Sequence, residues 1–217
     1  MLETRSLEPE IMDRPNQPAA IARAFHRDLK LIHGLMGNWR TIAARLKRGG
    51  RPGSVIDIGC GDGALLAYLR QELGVREVTG VDLKPPECAV AGVPVITADA
   101  TRDPLPCADA AVSVMVLHHL TDDQVVALLR NVSRSVSRLI CVDPVRHWLP
   151  MVLYTVLVCP FLSKVGAADG RQSVRRAFRP DELRKLAESA LAGSGADVRV
   201  SVTPLWTKLV MEIRFGK

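Results

Sequence analysis

The sequence predicts an α/β fold: a mostly parallel sheet of seven strands, covered by helices on both faces and finished by an antiparallel hairpin. Three observations predict it. Between residues 54 and 144, short apolar runs alternate with helical stretches, the pattern of parallel strands buried on both faces. The run VIDIGCGDGALL (55–66) passes from a strand through a glycine-rich turn into a helix. Two further strand-like runs, 197–204 and 207–215, are separated by so short a connection that they should pair antiparallel.

In chain order, residues 1–18 form an irregular lead-in punctuated by Pro9, Pro15 and Pro18. From Ala19, the apolar residues Ile21, Phe25, Leu29, Ile32 and Met36 recur at helical spacing. A second helix over Trp39–Lys47 is broken by Gly49, Gly50 and Pro52, so residues 1–50 read as an N-terminal helical extension or cap. A domain over 51–217 follows. SVIDIGC (54–60), EVTGVDL (77–83), VPVITAD (93–99), AAVSVMVLHH (110–119) and RLICVDP (138–144) are its parallel strands, with a helix over Ala64–Leu73. Thr121 or Asp122 can cap a helix spanning roughly 123–134. Pro180, behind Arg179 and before two acids, opens another that runs to about Ala192.

The 217 residues suffice for one substantial core, and 47% hydrophobic with 24% charged residues is globular composition. The net charge of +6 is partly gathered in Arg171, Arg175, Arg176, Arg179, Arg184 and Lys185. That cluster could meet a nucleic-acid backbone or an anionic membrane, or be a solvated helix face. Five scattered cysteines (Cys60, Cys88, Cys107, Cys141, Cys159) suit a reducing cytosol and give no zinc motif and no disulfide frame. With no apolar leader in MLETRSLEPEIMDRP, a cytoplasmic location is expected.

The glycine turn has two readings. Gly59, Gly61 and Ala64 also satisfy the dinucleotide fingerprint G-x-G-x-x-A. Three acids decide between them. Asp57 precedes the first glycine inside the strand end, poorly placed beside a pyrophosphate and well placed beside an ammonium or sulfonium. Asp82 closes the second strand, where it can accept both ribose hydroxyls, and Asp99 closes the third, within reach of an adenine amino group. Each alone could be a helix cap or a surface charge. Three at consecutive strand ends are not, because ligands bind at the carboxyl ends of such strands.

Asp57, Gly59, Gly61 and Gly63 thus make the sequence similar to the class I S-adenosylmethionine-dependent methyltransferases, over about residues 53–145. The resemblance implies a Rossmann-like domain, S-adenosylmethionine as cofactor, and Asp57, Gly59, Cys60, Gly61, Asp82, Leu83, Asp99, Ala100 and Leu117 as its binding set. Leu83 and Ala100 would flank the adenine, and Leu117 would lie under the methionine part. One departure is the short stretch 84–92, which abbreviates the ribose-side crossover. The N-terminal helices and residues 169–187 also resemble bacterial methyltransferases found beside type III polyketide synthases, which implies secondary metabolism.

Methyl transfer is an in-line displacement in which the protein aligns the nucleophile and excludes water. The candidate base is His118 or His119 in LHHL, at the fourth strand end; alternatively, one packs and the other caps the next turn. Asp143 either faces the same pocket or holds the turn before Pro144. WLPMVLYTVLVCPFL (148–162), within an insertion near 145–178, carries no charge. Its roughly 22 Å helical length is short of the ~30 Å hydrocarbon core. It reads as a lid, a homodimer surface, a peripheral membrane contact or an extension of the core. The function expected is methylation of oxygen or carbon of an apolar small molecule, aromatic, polyketide-like or quinone-like. The alternative is an RNA or protein methyltransferase using the basic 171–185 cluster; LHHL and the scarcity of aromatics argue against nucleic acid. A third reading is a cofactor-binding scaffold without activity.

Overall fold

The computed structural model describes residues 2–14, 16–84 and 89–216. Pro15, Cys88 and the centre of the abbreviated 84–92 crossover lie outside the described residues.

Seven strands form one sheet: β1 (Ser54–Ile58), β2 (Glu77–Asp82), β3 (Val95–Thr97), β4 (Ala108–Val114), β5 (Val136–Asp143), β6 (Asp197–Val202) and β7 (Leu209–Arg214). Their order is β3-β2-β1-β4-β5-β7-β6. The first five are mutually parallel, and β7 runs antiparallel to both β5 and β6. Strand order reverses between β1 and β4, which opens a crevice at their carboxyl ends.

Alternation along each strand sends side chains to two cores. Ile56, Ile58, Ala111, Leu139 and Cys141 face one side, together with Val125, Leu128 and Leu129 of α4 (Asp122–Val132) and Leu183 and Ala187 of α7 (Pro180–Ala190). Val55, Ala110, Val112, Ile140 and Val142 face the other, against α2 (Asn38–Arg48) and α3 (Ala64–Leu73). Burying each large side chain stabilises by about 1.5–3 kcal/mol, and Leu66, Leu69, Leu128 and Leu139 are fully enclosed. The cap on α4 is reciprocal: Gln124 N donates to Thr121 Oγ1 at 3.3 Å and Thr121 N to Gln124 Oε1 at 2.9 Å.

Three expectations are corrected. β3 covers only Val95–Thr97, because the backbone turns at Asp99, whose N–H donates to Asp103 Oδ2 at 2.7 Å. β4 ends at Val114 rather than His119: Met115 takes φ 61° and Leu117–His119 coil into a 3-10 turn. The helix α6 (Lys164–Arg176) was not expected.

α1 (Ala19–Met36) packs on α6 through Asp28, which is 1% exposed and accepts from Ser163 N at 3.0 Å. Residues 148–162 start as α5 (Trp148–Leu153) and continue as a π-turn, Tyr154–Val158, and a 3-10 turn, Cys159–Phe161. They lean on α6, where Tyr154 OH donates to Gly166 O at 3.0 Å. Their outer face is bare: Trp148, Val156, Leu157 and Phe161 are 59–73% exposed, so this segment does not extend the core. Among the described residues, no helix is long and apolar enough to cross a membrane.

Candidate functional site

The crevice between β1 and β4 is floored by the glycine turn. Gly59 and Gly61 have φ 72° and 54°, a region costly for other residues, and both expose their backbone. A Cβ on Gly59 would stand 2.4 Å from Val116 Cγ2, whereas one on Gly61 would meet nothing within 4 Å. Protein packing therefore requires the first glycine, and open space lies beside the second.

Asp57 pairs in register with Gly80 and Val112 and is 3% exposed. Among the described residues, no hydrogen-bond donor reaches its carboxyl. Burial pushes it well above the usual carboxylate range, and the nearby Asp82 adds to that. Burial and the same two acids push the Cys60 thiol up to about 12, which keeps it inert. Asp82 accepts from Gly61 N at 2.9 Å and Lys84 N at 3.0 Å, holding turn and strand end together. The residues expected at β1 and β2 are thus brought together around one opening.

The third acid is engaged locally. Asp99 Oδ1 accepts from Thr101 Oγ1 at 2.6 Å and Thr101 N at 3.0 Å, bonds that lower its pKa, and Arg102 lies 3.2 Å from Oδ2. Leu83 is 64% exposed at the rim, and Ala100 is buried. Leu117 departs from expectation. It is 1% exposed and packs in the α4–α7 core with Ile58 and Ala100, because the turn after Met115 rotates it inward. Val116 stands against the glycine turn beside Gly59, and the positive φ of Met115 marks a strained backbone just before it.

The two histidines have different surroundings. His118 is 1% exposed, and its N–H donates to Asp143 Oδ2 at 2.9 Å. Its Nδ1 lies 3.1 Å from Asp143 Oδ2, and its Nε2 lies 3.4 Å from Glu10 Oε1. Burial alone would lower its pKa, but the two carboxylates outweigh that and raise it to about 9. Enclosed, with a carboxylate beside each ring nitrogen, His118 presents no free nitrogen to an acceptor, and the partly exposed His119 is the one that does. The His119 ring lies 4.1 Å away, a third exposed, with Nδ1 3.1 Å from Asp13 Oδ1.

Glu10 and Asp13, missed in the sequence, come from the lead-in, of which residues 5–13 lie as a strap over α6 and the 117–119 turn. Asp169 accepts from Ile11 N at 2.8 Å and Met12 N at 3.1 Å, and Ser173 Oγ donates to Glu10 Oε1 at 2.7 Å. Arg5 donates from Nη2 to His118 O at 3.2 Å and lies 3.7 Å over the Phe178 ring. No local pattern marks these residues, because their partners are distant in the chain.

The expected basic cluster is dispersed. Arg176 is 7% exposed and donates to His118 O and His119 O at 3.1 Å each, as well as pairing with Asp13. Arg179 donates to Leu2 O and Arg184 to Val200 O, each at 2.9 Å. Of the six, Arg176 is buried, whereas Arg184 and Lys185 stay exposed.

Residues 55–138 match a protein family described as a methyltransferase domain. No curated protein matches the chain in sequence. Among solved structures, it is similar to the plantazolicin methyltransferase BpumL in complex with a triazolic desmethylPZN analogue and SAH, with TM-score 0.72 and 15% identity over 95% of this chain and 93% of that one. It is similar to human N-acetylserotonin methyltransferase in complex with SAM, with TM-score 0.60 and 18% identity over 95% of this chain and 61% of that one. The methyltransferase domain of a bacterial Hen1 also resembles it, with TM-score 0.62 and 19% identity over 82% and 97% of the two chains.

Proposed function

We propose that this chain is a class I S-adenosylmethionine-dependent methyltransferase and that it transfers the methyl group to oxygen or carbon of an apolar small molecule of aromatic, polyketide-like or quinone-like type. The observation that carries the proposal is the set of exposed apolar residues Trp148, Val152, Val156, Leu157 and Phe161, on a segment that leans on α6, the helix that also packs against the histidine turn. An uncovered face of this kind needs an apolar counterpart, and at the carboxyl edge of the sheet that counterpart is the acceptor.

We assign the cofactor to the opening between β1 and β4. Asp57 then faces its cationic methionine end, whose charge would favour the ionised carboxyl, and Asp82 accepts its ribose hydroxyls. Gly61 leaves room for the ligand against the backbone, and Asp99 with Leu83 borders the adenine. His119, with its partly exposed ring, faces the acceptor, and His118 positions that turn through Asp143 and Glu10. α1 and the 145–178 insertion act together as a cap over this edge, with α1 and α6 as its paired helices, while α2, the rest of the 1–50 extension, packs on one face of the sheet. The alternative use of a basic 171–185 face loses support from the buried position of Arg176.

The test is release of S-adenosylhomocysteine from S-adenosylmethionine in the presence of alkyl-substituted phenols and quinols, set beside total RNA and bulk protein. Turnover on the apolar acceptors supports the proposal. Turnover on RNA or protein alone overturns it.

A further inference from the structure

Glu10, His118 and His119 each present one donor atom, and these atoms all lie within 4.8 Å of one another. His118 Nε2 is 3.4 Å from Glu10 Oε1. Two N or O ligands held about 2.0–2.1 Å from a tetrahedral ion are roughly 3.3 Å apart, so this edge needs almost no adjustment.

The supporting contacts have the same character. A metal-bound imidazole normally gives its outer N–H to a carboxylate, which fixes the tautomer and leaves the inner lone pair for the ion. Asp143 occupies Nδ1 of His118 and Asp13 occupies Nδ1 of His119, each at 3.1 Å. Glu10 is itself fixed by Ser173 Oγ at 2.7 Å. Two ligands are deeply buried, Glu10 at 4% and His118 at 1% exposure, while the His119 side chain is 33% exposed. Three protein ligands with one accessible side describe a metal site with an open position.

We propose that Glu10, His118 and His119 bind one divalent transition-metal ion, Zn2+ by the donor set, with the open position on the His119 side. Its use in catalysis rests on the methyl-transfer reading above. The acceptor's hydroxyl oxygen takes the open position, and the ion lowers its pKa so that the proton leaves to solvent. The oxygen then forms its bond to the methyl carbon as the sulfur–carbon bond breaks and leaves its electron pair on sulfur.

The test uses the untagged full chain stripped with a chelator and titrated with Zn2+ alone, and with Co2+ as a spectroscopic probe. One ion per chain is expected, with the intense visible absorption of tetrahedral Co2+. Glu10→Gln and His119→Ala should each weaken Zn2+ binding more than 100-fold, and Asp143→Asn by about 10–100-fold. Because His118 is buried and its loss could unfold the chain, the partly exposed His119 carries the decision, with thermal unfolding checked alongside. Absence of stoichiometric binding, or binding unchanged in Glu10→Gln and His119→Ala, overturns the proposal. Cofactor affinity is measured on the same stripped protein. Retained S-adenosylmethionine binding without Zn2+ binding sinks the metal site alone, and loss of cofactor binding by the unmodified chain sinks the methyltransferase reading.

Discussion

Asp143 holds His118 at two points, accepting from its backbone N–H at 2.9 Å and standing 3.1 Å from its ring Nδ1. One carboxylate at the end of β5 thereby sets both the path of the β4 turn and the orientation of the ring. Asp143→Ala leaves a buried donor and a buried imidazole without their partner and is expected to cost about 3–5 kcal/mol. Urea unfolding measures this, and a loss under about 1 kcal/mol would show that the turn holds its course unaided.

Gly61→Ala separates the needs of the fold from those of the ligand. A Cβ there meets no protein atom within 4 Å, so the fold suffers only the φ of 54°, about 1–2 kcal/mol. If the cofactor occupies the opening as proposed, its affinity should fall at least tenfold by calorimetry. Unchanged affinity would put the cofactor elsewhere.

Val156→Asn tests the bare apolar face. Val156 is 62% exposed, so stability should change by less than about 0.5 kcal/mol. The acceptor's KM should rise roughly 10-fold with cofactor affinity unchanged. An unaltered KM would remove this face from acceptor binding.

Glu212 supplies a pH-dependent prediction far from the crevice. It pairs with Arg45 of α2 and, at 3.0 Å, with Arg138 of β5. Burial would raise its pKa, but the two guanidiniums outweigh that and hold it below the ordinary 4.5. A depressed carboxylate contributes stability that is present above its unfolded pKa and lost as pH falls through the folded one. Glu212→Gln should therefore cost roughly 1–2 kcal/mol at pH 7 and progressively less on acidification below about 4.5. Denaturant unfolding at both ends of that range checks it, and a cost independent of pH would contradict the pairing.

The parallel strands and the glycine turn were legible because each is a local signal. Val55, Ile56 and Ile58 are apolar on both faces of a buried strand, and Gly59 must be glycine for reasons within the turn and Val116. Helix α6 escaped because Gly166 and Gly170 lower its propensity and charges fill its sequence; Gly166 gives way to Asp28 and Gly170 to Tyr154. The histidine turn, the proposed acceptor end, was half legible. LHHL was visible, but the partners that set its chemistry, Glu10, Asp13 and Asp143, come from three separate parts of the chain. The arginines looked like a charged face because a list of basic residues does not say that helix periodicity turns Arg176 inward.

The strap gives the two ends of the crevice unequal histories during folding. The glycine turn, Asp57 and Asp82 are brought together by β1, β2 and α3, all synthesised early, whereas Glu10 finds its place only after Ser173 and Asp169 have emerged and coiled. The strap is also the part that can detach without breaking a strand, so partial opening removes Glu10 and Asp13 while the sheet persists. In hydrogen exchange, the amides of Ile11 and Met12 should therefore exchange ahead of those in β1 and β4. A form opened in this way would keep Gly61 and Asp82 together while Glu10 and Asp13 have left the histidine turn.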